Sequence, residues 1–367
     1  MQAVAAFTDT FLPTVNGVTY TITTWRDRWV DRGGRMDVVY PGAPGHVPGP
    51  GEWPVSSFRF PFYEGYRYGL PAIPGAVRDV DVVHAHTPFP LGFAGLRLAR
   101  SEGLPLVASY HTPTGEYADY LAPWPVSSLV RGVSEYWERA FFDRADVVLV
   151  PSEDAGEHVR EVVGVSTRVE TLPNGVDVER FRPVETDAFR ARHDLDTGRP
   201  LVGYTGRHGH EKRLDAIVEA AADLDVTVVL GGDGPARKSV ERLAEERGVD
   251  ARFLGFLARE ELPAFYASLD VFAFPSPVET QGIVALEAMA CGTPVVAAAA
   301  GALVETVEDG VTGYHFASDD VDGFRDAIRR ALADHDRLRE ACLDRRESTS
   351  VAHSVDRLAE VYASLTG

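Results

Sequence analysis

Two carboxylates, Glu279 and Glu287, stand eight residues apart around Gly282 and the apolar run Ile283–Met289. A strand ending at Phe274 and a helix starting near Gly282 would leave the N–H groups of Gly282, Ile283 and Val284 without helical acceptors, which suits an anion. Carboxylates beside an anion are electrostatically costly unless they hold hydroxyl groups, as those of a sugar or a ribose. The combination points to a nucleotide sugar. Two acids at this spacing can also mark a solvated helix face, but the apolar run makes this helix mostly buried.

Cations sit on a second strand end, Tyr204-Thr-Gly-Arg207-His-Gly-His-Glu-Lys212-Arg213. A forked guanidinium on Arg207 and a compact ammonium on Lys212, carried by one glycine turn, suit a diphosphate. Charges flanking a turn are common on surfaces. However, Lys212 and Lys238 are the only lysines among 36 cations, so a lysine kept at a strand end stands out. An early turn, Thr8-Asp9-Thr10-Phe11-Leu12-Pro13-Thr14-Val15-Asn16-Gly17-Val18, lies between a strand and its helix; Gly17 would let a backbone N–H approach a phosphate, although an ordinary βα turn reads the same way. Neither a G-x-G-x-x-G nor a Walker A pattern occurs, which counts against a dinucleotide cofactor.

Histidines close two further strands in His84-Ala-His86-Thr87-Pro88 and Ser109-Tyr110-His111-Thr112-Pro113. His84 and His86 alternate and share a face. With Asp9 they could form a metal cluster, making a metal-dependent hydrolase on Asp9, His84, His86 and His111 the reading from a different enzyme class. One of the pair could equally be a satisfied interior histidine, and no H-E-x-x-H signature is present. His111, where three polar strand ends converge, is the stronger functional candidate.

Short β-branched runs alternating with amphipathic stretches must position these groups. Strands are expected at 2–7, 36–40, 81–86, 105–110, 145–150 and 168–172, then at 200–205, 226–231, 251–254, 270–274, 293–298 and 313–316. Helices are expected at 17–32, 90–102, 126–142 and 152–163, and later at 212–223, 234–247, 259–268, 282–291, 301–308 and 319–334. Such βαβ alternation means parallel sheets, and twelve strands divide better over two sheets than one. The turn formers Pro173-Asn-Gly-Val-Asp177 mark the divide. The expected fold is therefore α/β: an N-terminal Rossmann-like domain over 1–173 and a C-terminal Rossmann-like domain over 174–352. The two doubly wound domains would face each other across a cleft, with a final helix near 353–367 packing back on the first.

Composition limits the partners. Thirty-six cations against 55 acids give a net charge of −19, contrary to a nucleic-acid binder. The excess is uneven, with 14 cations against 20 acids in residues 1–175 and 22 against 35 in the rest. An acidic, lysine-poor chain suits a saline cytosol such as a haloarchaeon's, and an acidic face for a cationic partner is the rival. Two cysteines, Cys291 and Cys342, form no disulfide framework, which fits a reducing compartment. The chain opens directly on a strand-like segment and has no apolar run of spanning length, so a cytoplasmic protein is expected, with any membrane contact peripheral. Phe58–Tyr68 holds six aromatics and would line a ligand groove or lie buried. The stripe Leu129, Val130, Val133, Trp137, Ala140 and Phe141, preceded by Trp124, is either core or a membrane-docking face.

The Glu279…Glu287 segment resembles the E-x7-E motif of retaining family 4 glycosyltransferases of the GT-B fold. The resemblance runs in order through Asn16-Gly17-Val18, His84-x-His86, His111, Pro173–Asp177, Gly206-Arg207…Glu211-Lys212 and Gly231-Gly-Asp-Gly-Pro235. Ser109-Tyr-His-Thr112 and Thr8–Pro13 resemble its lipid-modifying branch: phosphatidylinositol mannosyltransferases, sulfoquinovosyl-diacylglycerol synthases and diacylglycerol glucosyltransferases. It implies a hexose moved with retention from GDP-mannose or UDP-glucose to a lipid or lipid-linked acceptor, or to a soluble sugar, with no metal or other cofactor. Gly17 would close on the donor diphosphate, which Arg207 and Lys212 would neutralise. Glu279 would hold sugar hydroxyls, Gly282, Ile283 and Val284 would offer backbone N–H groups, Glu287 would hold the ribose, and His111 would lie against the transferred sugar. Asn16, His208, His210 and Gln281 depart from the commoner pattern, which bears on the identity of the donor sugar.

Overall fold

The computed structural model describes residues 1–59, 67–111, 126–196 and 198–367, with the backbone alone over 126–130. The chain divides into two units, Met1–Asn174 with Val351–Gly367, and Gly175–Ser350.

The first unit holds strands β1 (Ala3–Phe7), β2 (Arg35–Pro41), β3 (Glu52–Val55), β6 (Val82–Ala85), β7 (Leu106–Ser109), β8 (Val147–Val150) and β9 (Val169–Thr171). They form one parallel sheet in the order β3-β2-β1-β6-β7-β8-β9. A parallel sheet covered on both faces needs apolar residues on both, and β1 shows how the two-residue period sorts them. Val4 and Ala6 join Ile22, Trp25 and Trp29 of the helix Gly17–Asp31 and Val355, Leu358 and Tyr362 of the helix Val351–Thr366. Ala5 and Phe7 point the other way, to Leu91, Leu98, Phe141 and Val159. The last helix thus packs on the first helix of the chain, with the Trp29 and Tyr362 rings 5.1 Å apart.

Two short antiparallel strands, β4 (Ser57–Arg59) and β5 (Arg67–Gly69), set the Phe58 and Tyr68 rings 5.6 Å apart; the aromatics between them lie outside the described residues. These two and β3 were not anticipated, because three- or four-residue strands rich in Arg, Ser and Pro carry little apolar alternation. The expected helix over 152–163 is a short α-helix, Glu153–Glu157, running into a turn of π-helix at His158–Val162.

In the second unit, β10 (Leu201–Thr205), β11 (Thr227–Gly231), β12 (Ala251–Gly255), β13 (Val271–Phe274), β14 (Val295–Ala298) and β15 (Gly313–Phe316) form a parallel sheet ordered β12-β11-β10-β13-β14-β15. Its core is one continuous apolar cluster. In each sheet the order reverses at one point: β1 lies beside β6, and β10 beside β13. There the connections leave in opposite directions and open a crevice at the carboxyl ends of the strands. The candidate residues Asp9, Gly17, His84 and His86 follow or end β1 and β6, and Arg207, Lys212, Glu279 and Gly282 follow β10 and β13.

Candidate active site

In the second unit the connection after β10 makes a single 3-10 turn, His210–Lys212, before the helix Leu214–Ala221. Lys212 Nζ donates to Glu279 Oε1 at 2.6 Å, and both side chains are 14% exposed. The two residues expected to serve phosphate and sugar are therefore in direct contact, 67 positions apart in sequence. Arg207, more exposed, pairs with the buried Glu211. Gly209 makes this possible: a Cβ there would lie 2.1 Å from Glu211 Oε1. His208 is buried and its Nε2 lies 3.0 Å from Gly231 O, joining the loop after β10 to the end of β11; burial lowers its pKa.

After β13 the chain turns through Gly282, whose φ of +75° lies in the left-handed region, into the helix Ile283–Ala290. No acidic residue or side-chain cap occupies its first turn, and the first helical donor is Ala285 N, to Gly282 O at 2.9 Å. The N–H groups of Gly282, Ile283 and Val284 thus stand before the helical ladder, where the dipole favours an anion. A Cβ on Gly282 would lie 2.7 Å from Leu303 Cδ2. Gly282→Ala is expected to destabilise the protein by about 1–2 kcal/mol through that backbone strain. It should lower turnover further by shifting the turn, and thermal denaturation beside nucleotide release separates the two effects.

Glu287, one helical turn on, is buried and accepts from Tyr266 Oη at 2.8 Å, with Arg259 Nη1 3.8 Å from its other oxygen. Burial pushes its pKa up to about 7, against the weaker pull of Arg259. Gln281 is buried, and its carbonyl accepts from Thr306 Oγ1 at 2.6 Å.

In the first unit Asn16 caps the helix at Gly17, with Oδ1 accepting from Thr19 N at 2.9 Å and Nδ2 donating to Thr10 Oγ1 at 2.8 Å. Asp9 is buried, accepting from Thr87 Oγ1 at 2.7 Å and Leu91 N at 3.2 Å, and burial raises its pKa to about 6. It thereby supplies the cap that Phe89 does not give to the helix Pro90–Glu102. His84 is engaged at both nitrogens, Nδ1 with Tyr362 Oη at 2.6 Å and Nε2 with Ser109 Oγ at 2.8 Å. His86 Nδ1 lies 3.1 Å from His111 Nε2. Burial lowers all three histidines, His84 to about 3, His111 to about 4 and His86 well below the usual value, so they are neutral at pH 7. Asp9 thus faces a helix end and His84 a serine and a tyrosine. No group of three or more His, Cys, Asp or Glu suited to a metal ion occurs among the described residues.

The partners Arg259, Tyr266 and Tyr362 were missed in the sequence, and Glu211 and Ser109 stood there as members of motifs with no role of their own. No local pattern marks Arg259, Tyr266 or Tyr362, since each acts through a contact that folding creates.

Residues 15–180 match the model of Glycosyltransferase Family 4, and residues 185–347 that of Glycosyl transferases group 1. A GDP-mannose-dependent alpha-mannosyltransferase of Mycolicibacterium smegmatis is 34% identical over 340 residues, covering 90% of this chain and 87% of that protein. Sulfoquinovosyl transferase SQD2 of Arabidopsis thaliana is 35% identical over 77% of this chain and 56% of its own length. The alpha-monoglucosyldiacylglycerol synthase of Streptococcus pneumoniae is 28% identical over 80% of this chain and 70% of its own. Among solved structures, a sucrose-phosphate synthase from Thermosynechococcus elongatus covers 100% of this chain and 99% of its own, with a TM-score of 0.83 at 23% identity. Anabaena HepE in complex with UDP-glucose covers 100% of both chains, with a TM-score of 0.77 at 20% identity. The likeness spans both sheets and the loops that carry the candidate residues, and the chain belongs to glycosyltransferase family 4 as a hexosyltransferase of the GT-B fold.

Proposed function

We propose that the protein moves mannose or glucose from GDP-mannose or UDP-glucose to a lipid or lipid-linked acceptor with retention, forming an α-glycosidic bond. The Lys212–Glu279 pair at the sheet's reversal point carries this reading: it joins a cation for phosphate to a carboxylate for hydroxyls. In this scheme Arg207 and Lys212 stabilise charge growing on the leaving diphosphate, and Glu279 orients sugar hydroxyls. The N–H groups of Gly282, Ile283 and Val284 bind sugar and phosphate, and Glu287 takes the ribose diol. Gly17 contacts phosphate and His111 the transferred sugar. The C1–phosphate bond breaks as the C1–acceptor oxygen bond forms on the same face. The acceptor's proton passes to the departing phosphate oxygen, and no metal is required.

Relatives named for GDP-mannose and for diacylglycerol support the donor and acceptor classes. No helix among the described residues is long and apolar enough to cross a membrane. Val133, Tyr136 and Trp137 are exposed on the helix Val126–Phe142, which supports peripheral contact with lipid at the cytoplasmic face. Phe141 of the same stripe is buried core, and Leu129, Val130 and Trp124 lie outside the described side chains. The acidic composition supports a saline cytosol.

The test is a donor screen of UDP- and GDP-sugars over vesicles of total lipid extract with released nucleotide measured, run with EDTA and at low and multimolar KCl. Turnover with one donor, insensitive to EDTA, higher in KCl and giving a labelled lipid with an α-anomeric signal, is the expected result. A β-anomer would overturn retention, a labelled soluble product the lipid acceptor, and loss of activity in EDTA the metal-free scheme.

A further inference from the structure

The three histidines of the first unit are joined more tightly than the transfer scheme requires. His86 and His111 share one hydrogen bond, Nδ1 to Nε2 at 3.1 Å, with their rings 13° from coplanar. His86 is fixed on its other side by stacking on His84 at 4.0 Å. His84 in turn is held by Tyr362 and Ser109, so the array has little rotational freedom.

A bond between two neutral imidazoles contains one proton and one lone pair, and two placements are open. With the proton on His86 Nε2, that N–H would be buried without an acceptor, because this atom has no hydrogen-bond partner among the described residues. With the proton on His86 Nδ1, the unpartnered atom is a bare lone pair. Orphaned buried N–H groups are rarer than under-satisfied acceptors, so the second placement wins. His86 Nδ1–H then donates to His111 Nε2, and a neutral His111 must carry its own proton on Nδ1.

We infer that His86 is a positioning residue that fixes His111 as the Nδ1–H tautomer, so that the ring nitrogen His111 presents to the transferred sugar is a hydrogen-bond donor. The last clause rests on the proposed role of His111 beside the sugar; the tautomer itself does not. His86→Asn keeps an amide N–H near the place of Nδ1. His86→Phe keeps the stacking on His84 and removes the donor, freeing His111 to shift toward Nε2–H, the form a free imidazole side chain prefers.

The experiment uses the full chain labelled with 15N-histidine. Two-bond 1H–15N correlations report each tautomer, and His111→Gln assigns the His111 signals. Wild type and His86→Asn should show Nδ1–H at His111, and His86→Phe a shift toward Nε2–H. With GDP-mannose or UDP-glucose, whichever turns over, His86→Phe should lose about tenfold in kcat with little change in donor KM, and His86→Asn should recover most of it. Nε2–H at His111 in the wild type, or an unchanged tautomer in His86→Phe, would overturn the inference. The wild-type spectrum decides the matter even if a variant fails to fold. A shifted tautomer with full kcat would leave the hold of His86 on His111 standing and remove His111 from the transfer.

Discussion

Lys212→Ala is expected to lower turnover by roughly 10²–10³-fold, the range seen when one preorganised donor to a developing negative charge is removed. Lys238→Ala, at an exposed position on the helix Arg237–Arg247, should change it by less than about twofold, as ordinary surface substitutions do. The two lysines make an internal comparison of equal charge change. Removing Lys212 also leaves the Glu279 carboxylate, 14% exposed, without its closest cation, which should cost about 1–3 kcal/mol of stability. The double variant Lys212→Ala/Glu279→Gln separates the effects: it should recover stability in thermal denaturation and none of the turnover. Equal losses from the two alanine substitutions would remove Lys212 from the reaction.

Glu287→Gln should raise stability and weaken nucleotide binding together. The folded protein holds the Glu287 proton up to about 7, whereas an unfolded chain releases it near 4.5. Its contribution is fully present below pH 4.5 and is lost as pH rises through 7, leaving a buried charge above that. The loss is on the order of 3 kcal/mol, from the shift at about 1.4 kcal/mol per pH unit. Glutamine keeps an acceptor for Tyr266 Oη and carries no charge. The melting-temperature advantage of the variant should therefore grow from pH 4.5 to 7 and then level off. Affinity for free GDP or UDP, measured by calorimetry, should fall about tenfold, the worth of a charged hydrogen-bond acceptor for a ribose hydroxyl. A flat difference across pH would contradict the burial argument, and unchanged affinity the ribose role.

The elements were legible where periodicity is strong. All twelve strands anticipated from β-branched runs are present, within about two residues at their ends, because a strand covered on both faces must be apolar throughout. The departures fall where that rule has no purchase, as in the short polar strands β3, β4 and β5, and in the helix His335–Asp344, whose apolar stripe is thin. In the site, glycine and charge spacing marked the loops after β10 and β13, since a turn and a helix start are local events. The Lys212–Glu279 pair was not visible, because Lys212 reaches Glu279 only after β10 and β13 become neighbours.

Asp9 shows the same division. The sequence offered it as a metal ligand alongside His84, His86 and His111; the fold turns it onto the N–H groups opening the helix Pro90–Glu102. The chain's order of residues decided which segments are strands and helices, which loops are rich in glycine and charge, and, through the run of motifs, the family. The tertiary structure decided which charges meet, which histidines lose their proton through burial, and which nitrogen of His111 stays committed to His86. Desolvation and hydrogen-bond partners set those properties, and both depend on residues tens to hundreds of positions away.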